Sequence, residues 1–486
     1  MGWSEVTFAG LVVGSRGYAV SGEGERGAVV STSTVHAIFK AYDIRGLIDG
    51  QITPEITKAI GAAFASFVDA PTVVVARDMR ESGVTLSAAF AEGVNSAGVD
   101  VVDIGLASTD LMYFASGRLG VPGAMFTASH NPAAYNGIKM CLSGARPIGE
   151  DTGLYTIRDV AQEYLDGKRA YGSGKGTVRG MSLLDEFANH ALGFVDWKKI
   201  SGLRITADTA NGMGGLVVPA VLGRLDVTLD VLFGELDGSF PNHPADPIQP
   251  ENLRDLQKRV VATKSDIGLA FDGDADRVFL VDEKGQPVSG STTTAMLAAS
   301  ILKKYPGSKV IYNLICSKSV PDVIRENGGE PIRTRVGHSF IKAVMEETGA
   351  VFGGEHSAHY YFRDNWRADS GLIAALHVLE VMALSGKKLS ELRVPFERFA
   401  GSGEINTKVA NPALVVERIE AAYASRAISV DRLDGLTVDF GTWWFNLRAS
   451  NTEPLLRLNL EAATEEECTA HTADVVSVIA GLASTK

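Results

Sequence analysis

Short β-branched or apolar runs alternate with longer helical stretches through most of the chain, and near the C-terminus the pattern changes. Thr53-Pro54-Glu55 opens a helix, with threonine placed as N-cap and proline in the first turn. Val73 to Ala76 reads as a strand, Arg77 to Gly83 as a polar loop and the alanine-rich run beyond as a helix. This α/β alternation leads to a buried strand, Val121 to Phe126, which ends in the loop Thr127-Ala128-Ser129-His130-Asn131-Pro132, and Gly137 to Leu142 is the next strand. Glycines and basic residues from Gly167 to Gly180 lack apolar periodicity and read as a linker.

The alternation resumes with a strand at Leu203 to Ala207, a glycine-rich loop and an apolar helix, then two apolar runs, Ile267 to Phe271 and Val278 to Asp282. A third series follows: a helix over Ser291 to Lys304, a strand at Val310 to Leu314, a helix from Ser317 and a strand before Val336. From about Phe399, strands at Glu404 to Val409, Thr437 to Phe440, Trp443 to Leu447 and Leu455 to Leu460 surround two helices, one after Asn411 and one from near Thr464. The predicted fold class is α/β: three consecutive α/β domains with mixed sheets plus a C-terminal α+β domain around a central cleft. The expected boundaries are 35–173, 174–284, 285–397 and 398–486, preceded by a poorly ordered extension over 1–34 that is rich in Gly, Ser and Thr.

Composition narrows the classes. A length of 486 residues fits three or four domains, and 45% hydrophobic with 21% charged residues is ordinary for a soluble protein. No apolar run is long enough for a bilayer, so no membrane partner is expected. A net charge of -12 argues against a nucleic-acid surface. Cys141, Cys316 and Cys468 are dispersed, without metal spacing, which suits a reducing cytoplasm. The extension lacks a basic region before its one apolar run, so a secretory signal is not expected.

Ser129 is the candidate nucleophile, with His130 beside it as a candidate base. The same residues also make an ordinary strand-to-loop turn. Asp272, Asp274 and Asp276 in Phe271-Asp272-Gly273-Asp274-Ala275-Asp276-Arg277 place three carboxylates at alternate positions, which suits a hard cation such as Mg2+ and metal-assisted phosphoryl transfer. With Glu283 they match positions 1, 3, 5 and 12 of an EF-hand loop. However, Arg277 replaces the glycine required at position 6 and the flanks read as strands, so calcium sensing is set aside. Arg277 is instead placed to reach the phosphate the metal touches, or to pair with an aspartate. Asp208 to Gly215 resembles a dinucleotide loop, but the G-x-G-x-x-G spacing is absent and its glycines read as packing. His243 has no partner at metal-ligand spacing and reads as a loop residue. Arg448, Ser450, Asn451 and Thr452, with Arg457 nearby, offer the guanidinium, hydroxyl and amide donors that a phosphate dianion requires.

Thr127 to Pro132 followed by Asn136-Gly137-Ile138-Lys139, then Asp272 to Arg277, Gly354-Glu355-His356-Ser357-Ala358-His359 and Arg448 to Pro454, occur in an order that resembles the alpha-D-phosphohexomutases, of the phosphomannomutase/phosphoglucomutase type. The resemblance spans roughly residues 39 to 460 and leaves the extension out. It implies that phosphorylated Ser129, on magnesium held by the three aspartates, exchanges a phosphoryl group with hexose phosphates through a hexose 1,6-bisphosphate, which also serves as activator. By the same resemblance, Tyr42 and Arg45 line the active site, Lys139 manages charge or a proton, and Glu355, Ser357 and His359 recognise sugar hydroxyls. His338 is a plausible acid/base partner. Related phosphoglucosamine mutases usually carry glutamine at the position of His356, and glucose-specific ones a GEES-like segment, so this version leans towards mannose phosphate, with glucose phosphate as the alternative. A basic residue found in some members near Asn313 to Ser317 is absent here, and Lys318 is the nearest candidate. Oligomeric state and pathway are not readable from the chain.

Overall fold

The computed structural model describes residues 32–449 and 455–483. Four sheets follow one another along the chain. In the first, the order is Ile44–Leu47, Tyr135–Leu142, Gly123–Phe126, Thr72–Arg77, Asp100–Leu106 and Val178–Gly180, with Arg146–Pro147 beside Tyr135–Leu142. Gly123–Phe126, Thr72–Arg77, Asp100–Leu106 and Val178–Gly180 run parallel, and the two strands at the other edge are antiparallel. The second sheet sets Pro287–Val288, Val278–Asp282, Ile267–Phe271, Ser201–Asp208 and Asp226–Leu232 side by side, the last three parallel. In the third, Glu330–Thr334, Lys309–Asn313 and Phe352–Gly354 are parallel and Tyr360–Phe362 returns antiparallel. The fourth is wholly antiparallel, with helices Pro412–Tyr423 and Glu465–Ala483 contributing to its core. The three α/β units and the α+β unit are therefore present.

Local signals explain much of this. Thr53 caps Pro54–Val68 by accepting from the Ile56 amide at 3.3 Å. Ile267–Phe271, buried along its whole length, carries no polar residue. The first three sheets share one continuous apolar core, whereas the C-terminal unit packs around its own, from Val415 and Leu436 to Ile479. Polar links connect it to the third unit: Lys318 Nζ donates to Asp439 at 2.8 Å and to the Gly441 carbonyl at 2.9 Å, and Arg333 pairs with Asp431.

Two segments differ from the expectation. Val178–Gly180, read as linker and placed after the 173/174 boundary, is an edge strand of the first sheet, anchored where the Thr177 amide and hydroxyl donate to Asp100. Three exposed residues show no apolar period, so the pairing is invisible locally. Thr32–Ile38, which overlaps the extension, is a helix that buries Val35 and Ile38 in the first unit's core. Residues 1–31 of the extension lie outside the described residues.

Candidate active site

Both chemical loops leave the carboxyl ends of strands that have parallel neighbours, the usual place for a ligand in α/β sheets. Gly123–Phe126 leads to Ser129, and Ile267–Phe271 leads to Asp272. The antiparallel register Met125 to Lys139 and Arg45 to Gly137 brings Lys139 and Arg45 to the same end. Ser129 is 5% exposed and has a left-handed φ of 48°. Its amide donates to Thr127 Oγ1 at 2.8 Å and its hydroxyl to Asp272 Oδ2 at 2.8 Å. Gly273 is required by close approach, since a Cβ there would lie 2.4 Å from the Ser129 carbonyl oxygen.

The three carboxylates offer atoms within 4.8 Å of one another. Lys139 donates to Asp274 Oδ2 at 2.7 Å and to Asp276 Oδ2 at 2.6 Å, and Arg277 Nε donates to Asp272 Oδ2 at 2.9 Å. Among the described residues, Asp274 Oδ1 and Asp276 Oδ1 are buried and accept no hydrogen bond. A hard cation would satisfy them, so the donor set fits the expected metal. Burial pushes the Asp272 carboxyl up, while for Asp274 the opposing charge and hydrogen bonds of Lys139 outweigh burial and hold it down. Burial also disfavours a charged lysine, yet Asp274 and Asp276 raise Lys139, which therefore stays cationic and balances charge.

His130 lies 3.2 Å from Ser129 Oγ through Nδ1, but the same nitrogen accepts from Arg277 Nη2 at 2.6 Å. Burial and Arg277 hold this imidazole well below its usual range, so it is neutral. Its lone pair is committed to Arg277, and the nearer proton acceptor for Ser129 is Asp272. Arg45 donates to Ala128 O and Asn131 Oδ1, both at 2.5 Å, and so also braces the serine loop.

From the third unit, His359 bridges backbone to Arg277 and places Nε2 3.8 Å from Asp276 Oδ1, while its Nδ1 meets Ser357 Oγ at 3.1 Å. Glu355 is buried and already accepts from Tyr361 at 2.5 Å, Asn313 at 2.9 Å and the Gly337 amide at 3.2 Å. His356 engages Ser291 at 3.0 Å. His338 begins the helix His338–Thr348, and its side chain lies outside the described residues. Tyr42, 37% exposed, has its phenol raised by burial and then by Asp43 and Glu355, with Arg45 and Arg448 opposing. Lys318 points to the fourth unit, as described above, rather than to Asp274 or Ser129.

In the fourth unit Arg448 and Arg457 are direct cross-strand partners. Like charges in that position repel unless an anion lies between or beside them. Arg448 pairs with Glu404 at 3.6 Å and Asp434 at 3.9 Å and Arg457 with Glu404 at 3.5 Å, and among the described residues the buried Nε of each has no hydrogen-bond partner. Ser450, Asn451 and Thr452 lie outside the described residues.

Sequence reading missed several supports. Thr109 donates its hydroxyl to Asp274 Oδ2 at 2.6 Å, and the Met213 amide donates to the Gly273 carbonyl at 2.8 Å, so the glycine loop rejected as a dinucleotide site backs the metal loop. Glu283 is bound by Ser390, and the triad's flanks are antiparallel strands, so no EF-hand forms. A separate cavity of about 690 Å³, lined by His190, Phe194, Tyr305, Phe362 and His377, shares no residue with this site.

Four family descriptions match in order: Phosphoglucomutase/phosphomannomutase alpha/beta/alpha domain I over residues 36–165, domain II over 185–285, domain III over 289–399, and the C-terminal domain over 404–478. The chain is 42% identical to a phosphomannomutase of Salmonella montevideo over 431 residues, covering 87% of this chain and 94% of that protein. It is 40% identical to phosphohexose mutases of Xanthomonas campestris pv. campestris over 428 residues, again 87% and 94%. A crystal structure of a phosphoglucomutase/phosphomannomutase family protein from Burkholderia thailandensis superposes with a TM-score of 0.84 at 32% identity, covering 93% of this chain and 98% of that one.

Proposed function

Because this chain belongs to the phosphoglucomutase/phosphomannomutase family, and so is a phosphohexomutase of the intramolecular phosphotransferase class, we propose that it interconverts mannose 1-phosphate and mannose 6-phosphate through a phosphoserine at Ser129. The carrying observation is the Ser129 hydroxyl, 2.8 Å from Asp272, in a loop where two further carboxylate oxygens are buried and unsatisfied. Asp272, Asp274 and Asp276, with phosphorylated Ser129, would hold Mg2+, which when bound supplies charge neutralisation to the phosphoryl oxygens.

The chain's own groups account for the rest. Arg448 and Arg457, with Ser450, Asn451 and Thr452, grip the phosphate the substrate already carries, which sets its free hydroxyl towards Ser129. The phosphorus-to-serine-oxygen bond breaks as the bond to the sugar oxygen forms. His338 takes the sugar's hydroxyl proton, and the Ser129 oxygen is released as an oxyanion beside Arg277, whose Nη2 lies 3.4 Å from it. The hexose 1,6-bisphosphate turns end for end, and its other phosphoryl group passes back to the Ser129 oxygen while His338 returns its proton to the sugar oxygen released. Free bisphosphate primes an unphosphorylated enzyme by the same route. Lys139 and Arg277 keep the carboxylates from repelling one another throughout. Tyr42, Arg45, Glu355, Ser357 and His359 line the space between the two ends, with Glu355 shaping the wall through its own network.

Glucose phosphate as an equal substrate is favoured by one observation. His356, the residue behind the mannose preference, is engaged by Ser291. Mannose 1-phosphate and glucose 1-phosphate, assayed with magnesium and a trace of the bisphosphate, decide between them. Intact mass spectrometry should find one phosphate, mapping to Ser129. Free phosphate without any 6-phosphate product would sink the mutase reading.

A further inference from the structure

Arg80 sits where the sequence shows only a polar loop, yet it is 2% exposed and uses every donor it has. Its Nε donates to Asp78 Oδ2 at 3.2 Å. One terminal nitrogen donates to the carbonyls of Pro132 at 2.9 Å and Tyr135 at 3.0 Å. The other donates to those of Ser129 at 3.0 Å and Asn131 at 2.6 Å. The Arg80 backbone amide also donates to Asp78 Oδ1 at 2.9 Å, so the side chain enters the loop from a fixed base. Phe240, from the second unit, lies over the guanidinium with the ring centre 5.0 Å from Cζ. Gly238 packs against the Arg80 backbone, since a Cβ there would stand 2.7 Å from the Arg80 Cα.

We propose that Arg80 is a positioning residue that fixes Ser129 against the metal loop, and that it thereby separates transfer to sugar from loss of the phosphoryl group to water. This rests on the phosphoserine reading above. Four carbonyls from one short loop, turned towards a single point, form a stable arrangement only around a planar cation with enough donors in a fork. One of them belongs to Ser129 itself, the residue whose left-handed backbone needs outside support. That same carbonyl abuts Gly273, so the clamp also sets how closely the serine approaches Asp272. Lysine has a single nitrogen with three donors and cannot reproduce it. Arg80 touches no reacting atom, and its effect is on geometry, where displacement by about 1 Å costs on the order of 100-fold in rate.

The test compares wild type, Arg80→Ala, Arg80→Lys and Gly238→Ala with hexose 1-phosphate, magnesium and bisphosphate. Thermal unfolding is recorded for each. For Arg80→Ala the expected result is a kcat about 100-fold lower with KM within about threefold. Free phosphate released per product should rise about tenfold, and guanidinium chloride at millimolar levels should partly restore kcat. Arg80→Lys should fall between. Gly238→Ala keeps the guanidinium but displaces it, and should show the same phosphate leak in milder form; it decides the matter if Arg80→Ala does not fold. A wild type that neither interconverts hexose phosphates nor carries phosphate on Ser129 refutes the reading. An active wild type whose Arg80 or Gly238 variants keep kcat within threefold and leak no more phosphate refutes the clamp.

Discussion

The two ends of the site are built in opposite ways. At the serine end Lys139 and Arg277 donate to carboxylates at 2.6 to 2.9 Å, and the buried atoms left without a partner among the described residues are one oxygen each of Asp274 and Asp276 and the Nε of Arg45. At the arginine end, Arg448 and Arg457 face each other across two strands, their acid contacts lie at 3.5 to 3.9 Å, and what remains unsatisfied is guanidinium nitrogen. One end therefore keeps carboxylate oxygens to spare for a cation, and the other holds its guanidinium groups on acids only at long ion-pair distance, within reach of an incoming anion. The first is set in the core that three sheets share, and the second belongs to a unit with its own core. A phosphohexomutase needs this difference, because the reacting geometry must be fixed while the anchor accepts either end of its substrate.

The comparison breaks most completely at Ser129. Ser129→Ala should lower turnover by at least about 1,000-fold in a coupled assay with a melting temperature close to wild type; substantial remaining activity would remove the nucleophile. Chelation should act almost as strongly. EDTA should abolish activity and magnesium restore it, and Asp274→Asn should raise the magnesium concentration needed for half-maximal rate. Next comes Lys139→Met, which leaves two buried aspartates without their partner. It should cost about 3–5 kcal/mol in urea unfolding and lower kcat, and a variant as stable as wild type would show that the pair carries little. At the far end Arg448→Ala should raise KM by about 10- to 100-fold with kcat within a few-fold. It should also weaken the thermal stabilisation that inorganic phosphate gives the wild type. A fall in kcat alone would mean the two ends do not differ as described.

The smallest effect on turnover should come from Asp110, which joins the first unit to the third by accepting from Ser370 at 2.6 Å and from Ser108. Burial raises its carboxyl to about 7. The folded state thus keeps a proton that the unfolded chain releases near pH 4. The contribution is fully present below pH 4 and is lost as pH rises towards 7, so stability should fall across that window. Asp110→Asn should flatten the slope in melting curves while activity stays within about twofold of wild type.

Much of the site is legible in the sequence. Asp272, Asp274 and Asp276 lie on one loop between two apolar runs, and Ser129 follows another, so neighbours within a few residues revealed them. The supports were not readable in the same way. Arg80 reaches Ser129 across 49 residues and Thr109 reaches Asp274 across 165, and each looks like any polar residue where it stands. His130 misled for the opposite reason: adjacency to Ser129 suggested a base, while Arg277, 147 residues away, holds its nitrogen. Val178–Gly180 was hidden because a three-residue exposed edge strand carries no period.

By itself the sequence determined the alternation of elements, the two loops that carry the chemistry and the balance of acidic and basic types, because apolar period and turn chemistry act between neighbours in the chain. The tertiary structure decided which cation meets which carboxylate, that Glu355 is tied into the wall, and that Arg448 faces Arg457. Those outcomes depend on strand register and on burial, which set dielectric and distance, and neither exists until distant segments pack.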